Sequence, residues 1–211
     1  MINILLVDDH AIFREGLKKI IENSSGMTVT GEANNGDEAY QKIKENEFNL
    51  VILDISLPGQ SGLEVLKELK RSNPKLPVLI LSMHSEEQYA RRLLKSGASG
   101  YLKKDSAFDQ LVSAIRTIDS GKKYISPVVA HILAKFIERD TEKDRHELLS
   151  DREFQVLCLI ASGKTVTEIS KEISLSDKTI STYRARILEK MKMKTNAELT
   201  FYAINNKLVK N

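Results

Sequence analysis

Leu50-Val51-Ile52-Leu53-Asp54 is an uninterrupted apolar run closed by an acid. A strand with one wet face alternates apolar and polar side chains, whereas a strand covered on both faces reads as a continuous apolar run. Val78-Leu79-Ile80-Leu81 and Ile2-Asn3-Ile4-Leu5-Leu6-Val7 have the same character. Thr28–Glu32 and Gly100–Leu102 are weaker candidates for two further strands. Between these runs lie stretches with helical spacing: Phe13, Leu17, Ile20 and Ile21 in one, Phe108, Leu111, Val112 and Ile115 in another. Strands alternating with helices in this way predict a doubly wound, five-stranded parallel α/β sheet. Such sheets bind ligands beyond the carboxyl ends of their strands, and the acid at position 54 stands at one of those ends.

The other strand ends carry matching chemistry. Asp8 and Asp9 follow the first run, Ser82 follows the fourth, and Lys104 follows the fifth. The first and third strands of such a sheet are neighbours, so Asp8, Asp9 and Asp54 converge in one crevice. Three acids at close range repel and call for a cation, and Mg²⁺ suits hard oxygen ligands beside a phosphate. Ser82 can donate a hydrogen bond to a phosphoryl oxygen, and the Lys104 ammonium can pair with one. Each residue taken singly could be a helix cap or a surface side chain. Their coincidence at strand ends favours a phosphoryl-accepting site, in which the protein supplies positioning and neutralises charge.

After Gly121 the strand signals stop. Ser126-Pro127 opens a helix, with Val129, Ile132, Leu133 and Phe136 on one face, and residues 138–147 form a charged linker. From Leu148 the chain reads as a four-helix unit. Ser150 with Glu153, Thr165 with Glu168 and Thr195 with Glu198 are capping boxes, and Ser176 is a further cap. The middle pair, about 166–173 and 177–191, is joined by Ser174-Leu175-Ser176, the short turn of a helix-turn-helix. The last helix is expected over about 196–208, with Leu199, Tyr202, Ala203 and Leu208 at helical spacing. The domains are therefore expected at 1–121 and 148–211, with a linker helix and charged linker at 122–147.

Composition narrows the function. The 211 residues are 41% hydrophobic and 29% charged, which suits packed cores rather than disorder or a bilayer span. A single cysteine, Cys158, precludes an internal disulfide, and Met1 runs straight into the first strand without a basic leader. Both features lead us to expect a cytoplasmic protein with no membrane association. Residues 1–124 balance acids against bases, so the net charge of +3 comes from the remainder. Lys178, Arg184, Arg186, Lys190, Lys192 and Lys194 face only Glu189 within 178–194. On composition alone, this stretch is equally a polyanion-binding surface or a solvated helix face.

The segment Leu53-Asp54-Ile55-Ser56-Leu57-Pro58-Gly59-Gln60-Ser61-Gly62 resembles the phosphoacceptor segment of bacterial response-regulator receiver domains. Val7-Asp8-Asp9-His10, Ser82 and Gly100-Tyr101-Leu102-Lys103-Lys104 resemble that family's other motifs, in order. Leu149–Glu153, Gly163–Ser170 and Lys178–Ile187 resemble the LuxR-type helix-turn-helix. The whole chain thus resembles a NarL/FixJ-type response regulator with a flavodoxin-like receiver. The resemblance implies that Asp54 accepts a phosphoryl group from a phosphohistidine on a sensor histidine kinase. It implies Mg²⁺ held by Asp9 and Asp54, by Asp8 through water, and by the backbone carbonyl of Ser56. It also implies that Lys104, not Lys103, pairs with the phosphoryl group while Ser82 and Tyr101 move toward it. One departure is Asp105 in the place where many receivers have a proline after a cis bond.

For the second domain, Ile180, Tyr183, Ile187 and Met191 are expected in the core, leaving Lys178, Ser181, Thr182, Ala185 and Arg186 outward, with Arg184 at the edge. Ser181, Thr182 and Arg186 are candidates for base contacts in double-stranded promoter DNA, and Lys178, Thr179, Lys190 and Lys194 for phosphates. The resemblance adds a homodimer on DNA, with exposed parts of the last helix available as an interface. Two other readings stay open: a regulator indifferent to phosphorylation, and an Mg²⁺-dependent phosphatase with Asp54 as covalent intermediate. The phosphatase lacks an acid two residues after Asp54, where Ser56 stands.

Overall fold

A computed structural model describes residues 1–58, 60–83, 86–138 and 145–209, with backbone alone at 86–88, 90–91, 132–133 and 135–138. Its contacts divide the chain into two compact units, Met1–Ala134 and Lys135–Asn211.

In the first unit the strands β1 (Ile2–Val7), β2 (Met27–Ala33), β3 (Leu50–Asp54), β4 (Val78–Ser82) and β5 (Gly100–Lys103) alternate with α1 (Ala11–Glu22), α2 (Gly36–Glu45), α3 (Gly62–Ser72), α4 (Glu86–Lys95) and α5 (Lys104–Asp119). All strands are parallel, in the order β2-β1-β3-β4-β5. The inner strands explain the continuous apolar runs, since every residue of β3 and β4 is buried. The edge strand β2 keeps a mixed pattern, and its expected limits widen by one residue at each end. One face of the sheet packs Ile4, Leu6, Ile52, Leu79 and Leu81 against Leu17 and Ile21 of α1 and Leu111 and Ile115 of α5. Phe108 departs from the expected apolar face of α5. It is half exposed and meets Phe13 edge to face at 5.6 Å.

Helix α6 (Pro127–Glu138) starts with its proline at the first helical position. Of the face expected there, Val129 is buried. The side chains of Ile132, Leu133 and Phe136, and linker residues 139–144, lie outside the described residues, as does Gly59 of the acceptor segment.

The second unit holds α7 (Asp151–Ala161), α8 (Val166–Glu172), α9 (Asp177–Met191) and α10 (Asn196–Asn205), after a 3-10 turn at Arg145–Leu148. Each expected capping box forms, and Ser176 caps α9 by accepting from the Thr179 N–H. Ile180, Ile187 and Met191 are fully buried beneath α9, while Tyr183 is only half buried. The last helix stops at Asn205, earlier than its spacing suggested. Lys207 adopts a left-handed conformation, and the Leu208 N–H bonds back to the Ala203 carbonyl at 2.8 Å. That is a Schellman closure, so Leu208 reaches the core from beyond the helix.

Candidate functional site

The parallel register brings Val7 of β1 beside Leu53 of β3, so the residues that follow, Asp8 and Asp54, emerge at the same edge. Asp54 pairs in register with Leu81, one residue before Ser82. Ser82 in turn lies opposite Lys103, and Lys104 opens α5. Asp8, Asp54, Ser82 and Lys104 are all buried. The Lys104 ammonium stands 2.6 Å from Asp8 Oδ2 and 2.7 Å from Asp54 Oδ2, donating a hydrogen bond to the latter. It also lies 4.6 Å from the centre of the Phe13 ring. The lysine expected to meet the phosphoryl group therefore already bridges two of the three acids. Lys103 points elsewhere and pairs with Asp105. The described peptide bonds, Lys104–Asp105 included, are trans.

Burial pushes the Asp54 carboxyl above its ordinary range; Lys104 pulls it back and Asp8 adds to the rise. Burial would lower the Lys104 ammonium, but Asp54 and Asp8 outweigh it and hold lysine more firmly charged than usual. One cation against two buried carboxylates leaves a net negative pocket. The buried Asp8 Oδ2 is paired with the Lys104 ammonium, which it shares with Asp54. Two buried carboxylates sharing one ammonium, with the third acid Asp9 beside them, are a donor set that fits a divalent cation. Ligand atoms of Asp8, Asp9, His10 and Asp54 lie within 4.8 Å of one another. The Ser56 N–H donates to Asp54 Oδ1 at 3.1 Å and fixes that carboxylate's orientation. Tyr101 is fully buried on β5.

Sequence reasoning missed two members of this cluster. The His10 N–H donates to Asp8 Oδ1 at 2.9 Å, and its Nδ1 lies 2.9 Å from Asp9 Oδ1. Arg14 donates to the backbone carbonyl of Asp8 and, through Nε, to Glu32 Oε2 at 3.0 Å, tying the acidic loop to α1 and β2. Adjacency of His10 to the two acids was the available signal; for Arg14 the signal was one helical turn from His10.

In the second unit, α9 presents Lys178, Ser181, Thr182, Ala185 and Arg186 to solvent, while Thr179 is half buried with its hydroxyl 2.8 Å from that of Ser176. The Thr182 hydroxyl donates to the Lys178 carbonyl at 2.9 Å, a contact within the helix. Arg184 is half buried and donates to Asn196 Oδ1 at 2.6 Å, at the foot of α10. Lys194 is exposed. Lys190 stands apart from this group, because its ammonium lies 2.7 Å from the buried Glu153 carboxylate of α7.

Burial would raise Glu153, but Lys190 and the Ser150 N–H outweigh it and hold the carboxyl below its ordinary range. A depressed carboxyl stabilises the fold above its unfolded pKa of about 4.3, and that stability is lost as pH falls through the folded value. Glu153→Gln is therefore expected to cost about 1–2 kcal/mol at pH 7 and progressively less below about pH 4. Amide exchange of α7 and α9 in the full chain at the two pH values checks this; an unchanged gap would refute it.

Comparison with known proteins finds one family model in each unit. Residues 4–116 match the response regulator receiver domain model, and residues 147–203 match the luxR family of bacterial regulatory proteins. Response regulator UvrY of Escherichia coli strain K12 is 38% identical over 209 residues, covering 99% of this chain and 96% of its own length. Response regulator GacA of Pseudomonas viridiflava is 36% identical over 210 residues, covering 99% and 98%. RcsB of Salmonella enterica serovar Typhimurium, solved bound to promoter P1flhDC in the presence of phosphomimetic BeF3⁻, is 28% identical with a TM-score of 0.61. It covers 95% of this chain and 97% of its own. RcsB has also been solved as two dimers bound to two parallel DNAs, at 28% identity and a TM-score of 0.61, covering 96% and 98%.

Proposed function

The chain belongs to the two-component response regulators of NarL/FixJ type, a receiver followed by a LuxR-type DNA-binding domain, and from that membership we propose that Asp54 is its phosphoacceptor. The observation that carries this reading is the buried Asp54–Lys104–Asp8 cluster at the strand ends. The donor is a phosphohistidine on a sensor histidine kinase. Its P–N bond breaks, an oxygen of ionised Asp54 forms the new P–O bond, and the kinase imidazole leaves. Asp54 is oriented for this by the Ser56 N–H. Lys104 moves from carboxylate to phosphoryl oxygen without leaving the crevice, and Ser82 donates its hydroxyl to another.

Asp9 and Asp54, Asp8 through water, and the Ser56 carbonyl would hold Mg²⁺. When bound, that ion neutralises the charge gathered by the acids and the phosphoryl oxygens. Protein groups do the positioning, and the chain acts as a regulator rather than as a turnover enzyme.

Tyr101 follows Ser82, and the change passes from β4 and β5 to the surface of the receiver. The output is sequence-specific binding of double-stranded promoter DNA as a homodimer in the cytoplasm. Among the described residues, no helix is long and apolar enough to cross a membrane. Ser181, Thr182 and Arg186 form the groove-facing set, with Lys178, Thr179, Arg184 and Lys194 toward phosphates. Lys190 joins the phosphate contacts only by exchanging its Glu153 partner.

The test is incubation with Mg²⁺ and a small phosphodonor, followed by intact-mass and DNA-binding measurements. We expect a single phosphoryl addition that vanishes in Asp54→Asn, with DNA affinity or oligomeric state differing between the two forms. No labelling would overturn the proposal. Labelling without any change on DNA would favour a regulator that works independently of phosphorylation.

A further inference from the structure

Helix α5 ends in a closure that turns the chain back onto the sheet. Gly121 takes the left-handed conformation at φ +82°, and its N–H bonds the Ile118 carbonyl at 2.9 Å. The residues that follow run along the outer edge of β5, the last strand of the sheet. There Tyr124 bridges Gly100 in the parallel sense, and its N–H donates to the Ser99 carbonyl at 2.9 Å. Its ring packs against the receiver core, and its hydroxyl donates to Gln110 Oε1 of α5 at 3.0 Å. The buried Ser126 then caps α6, accepting from the Val129 N–H at 3.2 Å, and Val129 is itself buried. Gly100 is what lets this segment lie so close. A Cβ there would stand 2.9 Å from Tyr124 Cβ and 3.1 Å from the Tyr124 carbonyl oxygen.

We propose that residues 122–126 form a coupling strap, which ties the start of α6 to β5 and passes the phosphorylation state of Asp54 to the second unit. An edge strand gains from any cover over its unpaired backbone groups. Here the cover is the first part of the only covalent path out of the receiver, since the division between the two units falls within α6, after Ala134. The seat of the strap, Gly100, directly precedes the fully buried Tyr101. A displacement of Tyr101 toward the phosphoryl group moves the β5 backbone beside it. The strap, bonded at Ser99 and seated on Gly100, moves with that backbone and carries the start of α6 along. Released from its seat, it leaves β5 free to shift while α6 does not follow. The inference rests on Asp54 being the phosphoacceptor.

The full chain is compared with Gly100→Ala and Tyr124→Pro, each with and without Mg²⁺ and a small phosphodonor. Gly100→Ala unseats the strap from the side of β5; the remaining close atom, Leu79 Cδ1 at 3.1 Å, is a side-chain end that can yield. Tyr124→Pro removes the strap's own N–H and leaves β5 untouched. Amide exchange over 122–126 is expected to quicken at least about tenfold in both variants, with β3 unchanged. Labelling of Asp54 should stay within about twofold of wild type, while the change in DNA affinity on phosphorylation, about fivefold or more in wild type, falls below about twofold. Unchanged exchange over 122–126 in Gly100→Ala would overturn the proposal, as would a released strap with the wild-type DNA response intact. If Gly100→Ala alone uncouples the two units, the effect belongs to β5 and the strap carries nothing. A labelled wild type with unaltered DNA binding leaves no signal to transmit and also overturns it. If the wild type is not labelled at all, the phosphoacceptor reading fails by itself, and the exchange data alone decide whether the strap is seated on β5.

Discussion

Lys104→Met is expected to destabilise the receiver by about 3–5 kcal/mol in the presence of chelator, and Mg²⁺ is expected to restore much of the loss. The reason is the imbalance of charge in the crevice. Lys104 is the cation between Asp8 and Asp54, at 2.6 and 2.7 Å, and all three side chains are buried. Removing one member of a buried ionic cluster leaves the others uncompensated, which costs more than the cluster ever contributes as a whole. Methionine keeps the packing on Phe13, so the loss isolates charge rather than volume.

The effect carries a pH signature. Asp54 is already raised by burial, and losing its nearest cation raises it further. A carboxyl whose folded pKa is raised binds its proton more tightly in the folded state. Stability therefore falls as pH climbs from the ordinary carboxylate range of about 4 toward the folded value. The deficit of Lys104→Met should accordingly be greatest at neutral pH and shrink on acidification. Thermal unfolding with chelator and with Mg²⁺ reads it directly, as a loss of roughly 10–20 °C that Mg²⁺ reduces. Equal melting temperatures in the two conditions would show that no cation enters among these acids. The same variant should still accept phosphoryl on Asp54 but fail to change its DNA binding, since no ammonium draws the phosphoryl group toward β5.

The fold was legible because the topology rests on a coarse signal. Continuous apolar runs at 50–53 and 78–81 mean strands covered on both faces, and β3 and β4 are buried throughout. Once the strand order is known, the residue after each strand is placed to within a few ångströms. That is why Asp8, Asp54, Ser82 and Lys104 could be assembled from spacing alone. Side-chain direction is a finer matter. The imidazole of His10 reaches the acids because the backbone folds over Asp8 Oδ1, a local turn that no periodicity encodes. The Glu153–Lys190 pair joins residues 37 apart through helix packing, so Lys190 looked like one more cation of a basic stretch. Likewise, α10 ends at a left-handed lysine where glycine would have been the readable signal.

One close approach links the fold to the site more tightly than any charge. Gly62, at the first position of α3, donates its N–H to the Ile55 carbonyl at 2.9 Å. A Cβ placed there would stand 2.3 Å from the Asp54 carbonyl oxygen and 2.5 Å from Ile55 Cα. Both obstacles are backbone, and both belong to the loop that carries the acceptor. Gly62→Ala must therefore lift the start of α3 or displace the acceptor loop. We expect a destabilisation of about 3 kcal/mol, at the upper end of overpacking costs, together with slow or absent phosphoryl uptake at Asp54. Gly16→Ala is the matched comparison. There the nearest atom is Phe108 Cε1 at 3.2 Å, on a ring that is half exposed and able to yield. Alanine inside α1 also gains up to about 1 kcal/mol of helix propensity, so this variant should be neutral or stabilised. Melting temperature and labelling rate, measured on the two variants side by side, separate the cases. If both glycines tolerate alanine equally, α3 does not seat directly on the acceptor backbone, and the rigidity assigned to the Asp54 loop must come from elsewhere.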